Sequence, residues 1–439
     1  RPSSTWTCRE IAASGGNQEL ATPVAGTAPV LLQADSTPEL EIALRTRGDD
    51  GGAPHLYLWR RNGQTDEWEA FSEDFPLQLQ GGFFAPPTAA DFDGDGREEI
   101  LVTNFAPDPP GTQILLLDIG DGGAVETVWR NLEELNTGGY TARAFGTLAA
   151  AMGDGVLYLA GAAKPQSFCS DYKKVFLCTV TPGDTASIDL AWQTDWVTGK
   201  DFYGNMTGPS LGNVDSDSGL EVLYMLNGGG FDSEGVLTAW NIEDGTLAWE
   251  GPTVPFNPIA SGGGADIKSQ AATGMVSSGP GPSAVMTGFS TLCTGADPQL
   301  ADGTVPGFPA YSRDASWASP LVCDLDGDGA AEVLQVDNSG RAVLFDLSQY
   351  DYAPGGWSMY QANPRRTGFL ADPDGESAAP ELDIRLRPSA AAPLGGTGRP
   401  ALAAVVEVSP YTTGEAPEST GMPGSPVAAV PACPERTAR

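Results

Sequence analysis

An all-β fold is predicted, a β-propeller of six to seven four-stranded blades with seven favoured, and three observations predict it. One acidic loop pattern recurs three times, an apolar strand follows each loop at fixed offset, and aromatic residues close units of similar length. Units of about 50–60 residues with several short strands and no amphipathic helix cannot bury both faces of a sheet alone, so they stack radially and share cores.

The fullest loop copy is Ala89 to Thr103 (AADFDGDGREEILVT), in which Asp91, Asp93 and Asp95 alternate with Phe92 and Gly94. Glu99 closes the loop and Ile100-Leu101-Val102 reads as a buried strand. Alternation gathers side-chain oxygens on one side of a tight turn, where a hard cation replaces their repulsion with coordination. In the helix-loop-helix calcium motif the closing acid is the twelfth residue and a helix follows. Here it is the ninth, counting from Asp91, and a strand follows. The pattern returns with Asn213, Asp215, Asp217 and Glu221, and again with Asp324, Asp326, Asp328 and Glu332. The seventh position of each loop (Arg97, Gly219, Ala330) is expected to offer its backbone carbonyl.

The loops lie 122 and 111 residues apart, about two units, and depleted copies sit between them. Gln33 to Leu44 keeps Asp35 and the closing Glu41, Ala149 to Ala160 keeps a turn and strand, and Gly274 to Phe289 keeps a Gly/Pro turn. A second strand follows at His55–Trp59, Gln113–Leu117, Val175–Thr179, Val236–Trp240 and Ala342–Phe345. Units end on Trp68, Trp129, Trp192, Trp249, Phe308 and Trp357, at intervals of 61, 63, 57, 59 and 49 residues. These aromatics are expected to pack between blades. Trp6 falls in the same column one step earlier. Residues 1–24 therefore read as a strand that closes the ring against Glu381–Leu386 or Ala401–Glu407, the route to a seventh blade. Residues 25–370 read as the repeats. Residues 371–439 are a Pro/Ala/Gly-rich segment, either last-blade strands or a small appendage that would leave six blades.

Formal charge is 23 − 57 = −34, which disfavours nucleic acid and anionic membranes as partners. No run approaches the roughly 18–20 apolar residues of a membrane span. The six cysteines form no CxxC pair and the only histidine is His55, so zinc and c-type haem sites are not expected. Disulfides Cys169–Cys178, Cys293–Cys323 and Cys8–Cys433 are expected, with buried free thiols as the alternative. The chain starts without Met, consistent with removal of an export signal. Asn205-Met-Thr207 fits the N-glycosylation triplet.

The blocks APPTAADFDGDGREEILV and ASPLVCDLDGDGAAEVLQV resemble FG-GAP/VCBS-type repeats, the calcium-loop blades of integrin α-subunit propellers and of secreted bacterial proteins. GGWSMYQANPRRTGFL resembles the segment that often ends the bacterial versions. The resemblance covers residues 25–370 and implies Ca²⁺ at about three sites. Its ligands would be Asp91, Asp93, Asp95, Arg97 and Glu99; Asn213, Asp215, Asp217, Gly219 and Glu221; and Asp324, Asp326, Asp328, Ala330 and Glu332. Glu at the ninth position departs from the integrin loops, which use Asp there.

A closed ligand set in a strand-connecting loop reads as structural, since catalytic metal sites keep an open position. With one histidine and no GxSxG or P-loop, nucleophilic and phosphoryl-transfer enzymes are not expected. The sequence therefore reads as a secreted or cell-surface binding module with a protein or glycan partner, serving adhesion or extracellular assembly. A propeller-type polysaccharide lyase or glycosidase, and a self-assembling surface-polymer subunit, are the alternatives.

Overall fold

A computed structural model describes residues 28–46, 54–80, 85–120, 125–165, 172–198, 208–254, 271–294, 304–336, 341–351, 362, 369–370 and 402–407, with short gaps inside several spans. The chain is an all-β propeller of four-stranded antiparallel blades. The first blade runs through Val30–Leu32, Glu41–Arg45, His55–Arg61 and Trp68–Ala70 in spatial order, with Leu77–Gln78 pairing its third strand. The second takes Thr88–Ala90, Glu99–Pro107, Pro110–Ile119 and Val125–Asn131. The third takes Ala142–Gly153, Val156–Pro165, Tyr172–Thr181 and Ser187–Gln193. Ser210–Gly212, Glu221–Asn227, Gly235–Asn241 and Leu247–Val254 make the fourth, and Ala272–Gly274, Ser283–Thr287, Ser290–Thr294 and Ala310–Tyr311 the fifth.

These five blades are each built from consecutive strands. A sixth sheet joins Leu321–Cys323, Ala330–Val336 and Arg341–Asp351 to Leu402–Glu407, which comes from far along the chain. Five blades stand where six to seven were expected, because the sixth sheet takes its outer strand from far along the chain and no seventh sheet exists among the described residues. Leu402–Glu407 pairs antiparallel with Arg341–Phe345 and serves as the outer strand of the sixth sheet. Trp6, Glu381–Leu386 and Asn205 lie outside the described residues. All five strands of the second repeated column occupy third positions in their sheets, as the spacing predicts.

First strands touch in chain order around the centre, each against the next from Val30–Leu32 to Leu321–Cys323. Their sheets bury apolar faces against one another. Val30, Leu32, Leu56 and Leu58 meet Ala89, Ile100 and Val102 between the first and second blades. Leu101, Ile114 and Leu116 meet Leu157, Leu159 and Phe176 between the second and third. Ala160, Val175 and Leu177 meet Leu211, Val222 and Trp240 between the third and fourth. Burial on two faces explains why strands such as Gln113–Leu117 read as apolar runs rather than as alternation. Phe369–Leu370 pairs in parallel with Ala150–Ala151 on the innermost strand of the third blade.

Two expectations fail here. Cys178 and Cys323 are free thiols. Cys178 is packed in the core between the second and third blades, and its expected partner Cys169 lies outside the described residues. Cys323 is on an innermost strand, and its expected partner Cys293 is on the third strand of the neighbouring sheet. Burial pushes the Cys323 thiol up to about 12 and Cys178 higher still, which makes both inert. The second failure is Trp129, which is 65 % exposed on an outer strand and packs between no blades. Trp192 meets the expectation, donating its indole N–H to Ile242 O (3.0 Å) in the next blade, and Phe308 is buried.

Candidate metal centre

Each acidic loop joins the first strand of a blade to its second, and the register is the same wherever the loop occurs. Leu32 opposes Glu41, Ala90 opposes Glu99, Gly212 opposes Glu221 and Cys323 opposes Glu332. The fifth blade keeps the offset with Gly274 opposite Ser283, but without an acid. In the third blade Gly153 opposes Val156, so the hairpin is too tight for a loop.

The closing glutamate does the same work four times. Its carboxylate accepts the N–H of the second loop residue: Ala34 to Glu41 (2.7 Å), Phe92 to Glu99 (2.6 Å), Val214 to Glu221 (2.7 Å) and Leu325 to Glu332. All four glutamates are buried. In the second blade a Glu99 carboxylate oxygen lies beside those of Asp91 and Asp93, and this is where a cation would sit.

In the second blade Asp91, Asp93 and Glu99 bring carboxylate oxygens within 4.8 Å of one another, a span that an ion with oxygen ligands at about 2.3–2.6 Å bridges. Asp91 also shapes the turn, accepting from Gly94 N (2.7 Å) and Gly96 N (3.0 Å). Those glycines have φ of +80° and +89°, a conformation that side chains oppose. The sixth sheet repeats the geometry. Gly327 N and Gly329 N donate to Asp324 at 2.7 and 3.0 Å, with φ of +79° and +89°. Two loops 233 residues apart (324 − 91) fold alike.

The electrostatics fit a cation. Glu99 is 3 % exposed, and its carboxyl is pushed up to about 8 by burial first, then by Asp93, Asp118 and Asp91. A buried acid surrounded by acids is unfavourable as an anion unless positive charge is supplied.

The structure brings together three of the residues named from the sequence, Asp91, Asp93 and Glu99. Asp95 stands outside the cluster, with its carboxylate held by the Arg97 backbone N–H (2.9 Å) and guanidinium Nε (2.7 Å). In the fourth blade Asn213, Gly219 and Glu221 are placed, while Asp215 and Asp217 lie outside the described residues. In the sixth sheet Asp324, Asp328, Ala330 and Glu332 are placed and Asp326 is not. There Asp328 accepts from Ala330 N (2.8 Å).

Three residues escaped the sequence reading. Asp118, one step past the Ile100–Leu117 pair, stands across from Glu99, and Asp346 pairs directly with Glu332. Asn241 takes that place opposite Glu221. Both acids sit at the end of a third strand already recognised, and only its pairing register singles them out. The other residue is Gln33, at the first ligand position of the depleted loop. Its amide nitrogen donates to the carbonyls of Asp35 (2.8 Å), Thr37 and Glu39 (3.5 Å). A neutral amide thus occupies the space where other loops gather carboxylates. The loop is also tied to its neighbour, since Glu98 N donates to Gln33 O (2.7 Å) and Gln33 N to Glu98 Oε2 (2.7 Å).

No protein-family model matches the chain. No curated protein matches it either. Among solved structures, the C-terminal domain of Pseudomonas aeruginosa PilY1 is similar at 13 % identity and a TM-score of 0.33, over 62 % of this chain and 60 % of that one. Saccharomyces cerevisiae Sqt1 is similar at 11 % identity and a TM-score of 0.36, over 76 % and 87 %. A europium-containing methanol dehydrogenase is similar at 14 % identity and a TM-score of 0.36, over 66 % and 50 %. This chain spans about three-fifths of the PilY1 domain and half of the dehydrogenase. Among the described residues no helix is long and apolar enough to cross a membrane.

Proposed function

We propose that this chain is a calcium-stabilised propeller of the FG-GAP/VCBS kind. It would be exported and used as a binding module in adhesion, protein or glycan recognition, or extracellular assembly. The cluster of Asp91, Asp93 and Glu99 carries the reading. Its oxygen-only donor set suits a hard cation, and the position of the loop between two strands suits a structural ion. Asp91, Asp93 and Glu99 would hold the ion in the second blade, with Asp324, Asp328 and Glu332 in the sixth sheet and Asn213 and Glu221 in the fourth blade. Bound there, the ion supplies positive charge for the buried glutamates and fixes the hairpins. Export belongs to the same reading, because calcium sites of extracellular modules fill at about 10⁻⁴–10⁻³ M.

The module has no catalytic role in this reading. Incubation with a panel of polyuronates, read for new reducing ends and unsaturated-product absorbance, is expected to show no turnover. Product formation would replace the binding reading with an enzyme. Calorimetric titration of the chelated protein with Ca²⁺ is expected to give about three sites. No heat and no change in melting would remove the metal from the account.

A further inference from the structure

The four hairpins that keep a closing glutamate differ at a second place, on the third strand. The residue opposite that glutamate is Arg60 in the first blade, one step past the Ile42–Trp59 pair. It is Asp118 in the second blade, one step past Ile100–Leu117. In the fourth blade Asn241 pairs directly with Glu221, and in the sixth sheet Asp346 pairs directly with Glu332. In the third blade, whose hairpin has no loop, the same step past Leu157–Val180 reaches Thr181.

These residues change together with the first loop position. Asp91 goes with Asp118 and Asp324 with Asp346, whereas Asn213 goes with Asn241 and Gln33 with Arg60. The pair therefore carries two negative charges in the second blade and the sixth sheet, none in the fourth blade, and one positive charge in the first. Its members flank the closing glutamate from two different neighbouring strands, so no single turn requires them to match.

Directly opposite residues of an antiparallel pair share a face, with Cβ atoms about 4.5–5.5 Å apart. A charge at this place therefore acts on whatever the glutamate holds. After burial, which dominates at both glutamates, Arg60 favours the Glu41 anion and Asp118 opposes the Glu99 anion. Arg60 is itself held in place, with Nε 3.1 Å from Glu69 Oε1 and its guanidinium carbon 5.4 Å from the Phe71 ring centroid. In the first blade a resident cation thus stands where the other hairpins place an acid or an amide.

We propose that the residue opposite the closing glutamate sets, together with the first loop position, how tightly each loop holds calcium. The second blade and the sixth sheet bind tightly, the fourth blade weakly, and the first blade not at all. Calcium affinity follows the charge gathered at a site and its rigidity, and this place adds to the charge. The ranking rests on the calcium reading given above and goes beyond it, since that reading treats the loops alike.

Calorimetric titration of the chelated full chain with Ca²⁺ tests the ranking. Two tight equivalents and one weaker by about tenfold or more are expected. Asn241→Asp is expected to tighten the weak site about tenfold, and Asp118→Asn to weaken one tight site by a similar factor. Melts in calcium and in chelator give a second readout, because Asn241 also serves the following turn by donating through Nδ2 to Thr246 Oγ1 (2.9 Å). A residue with a turn role alone would, when changed, shift both melts equally. Asp118→Asn is expected instead to gain less from calcium than the wild type, and Asn241→Asp to gain more. Three sites of equal affinity, variants that bind as the wild type does, or equal shifts in the two melts would overturn the ranking and leave the calcium reading standing. An absence of calcium binding would overturn both.

Discussion

Glu41 shows what a closing glutamate costs where its loop has lost the other acids. It is buried, and its carboxyl is pushed up to about 7, by burial first, against the favourable Ala34 N–H and with Asp35 adding. Its pKa is thus above the ordinary 4.5 in the folded chain. Between those values the folded chain holds a proton that the unfolded chain releases, so stability falls as pH rises through the window. Glu41→Gln keeps the acceptor and removes the charge. It is expected to gain roughly 3 kcal/mol at pH 8, since the rise from 4.5 to about 7 converts at about 1.4 kcal/mol per unit, and under about 1 kcal/mol at pH 5. Urea melts in chelator at the two pH values measure this, and an equal effect at both would refute it. Gln33 supports a converse experiment. If its amide fills the space of an ion, Gln33→Asp should add one metal site, read as one more equivalent in a terbium luminescence titration. An unchanged stoichiometry would mean that the loop lacks more than its first ligand.

At the scale of the element, the loop-bearing hairpin is the unit, and its shared register makes predictions transferable between blades. Chelation is expected to lower the melting temperature, because Asp91, Asp93 and Glu99 then repel one another across at most 4.8 Å. Asp93→Ala should remove part of that calcium-dependent rise. Asp35→Ala should act equally with and without calcium, since Asp35 works as a turn acceptor for Thr37 N (2.8 Å). Differential scanning calorimetry with and without calcium separates the two, and indistinguishable variants would dissolve the division into loaded and depleted loops. Gly96→Ala is expected to cost about 1–2 kcal/mol, because φ of +89° places Cβ against the backbone whatever the space around it. The hairpins were legible in the sequence because their turn glycines, alternating acids and following apolar strands are local. Asp118 and Asp346 were not, because their roles depend on which residue of the third strand comes to lie opposite Glu99 and Glu332.

For the whole molecule, the sixth sheet is the point of dependence. Its outer strand, Leu402–Glu407, comes from more than fifty residues beyond Asp351 (402 − 351 = 51). A chain ending at residue 371 would leave Arg341–Asp351 as an unpaired edge. It is expected to melt lower and to self-associate, measured by circular dichroism and light scattering; wild-type behaviour would show that the strand contributes nothing. The aromatic column misled where it was read as inter-blade packing. Trp129 and Trp192 share a place in the repeat, yet the first lies open and the second reaches Ile242 of the next blade. Trp129→Ala should therefore change stability by no more than about 0.5 kcal/mol.

By itself the sequence determined the repeat, the third strands and the acidic hairpins, because each rests on residues that are neighbours along the chain. Only the tertiary structure decided which distant strand completes the sixth sheet, that Cys178 and Cys323 stay thiols, and that Gln33 fills a loop. Those outcomes depend on which surfaces meet when sheets stack around a centre, and pairing at long range leaves no period in a sequence.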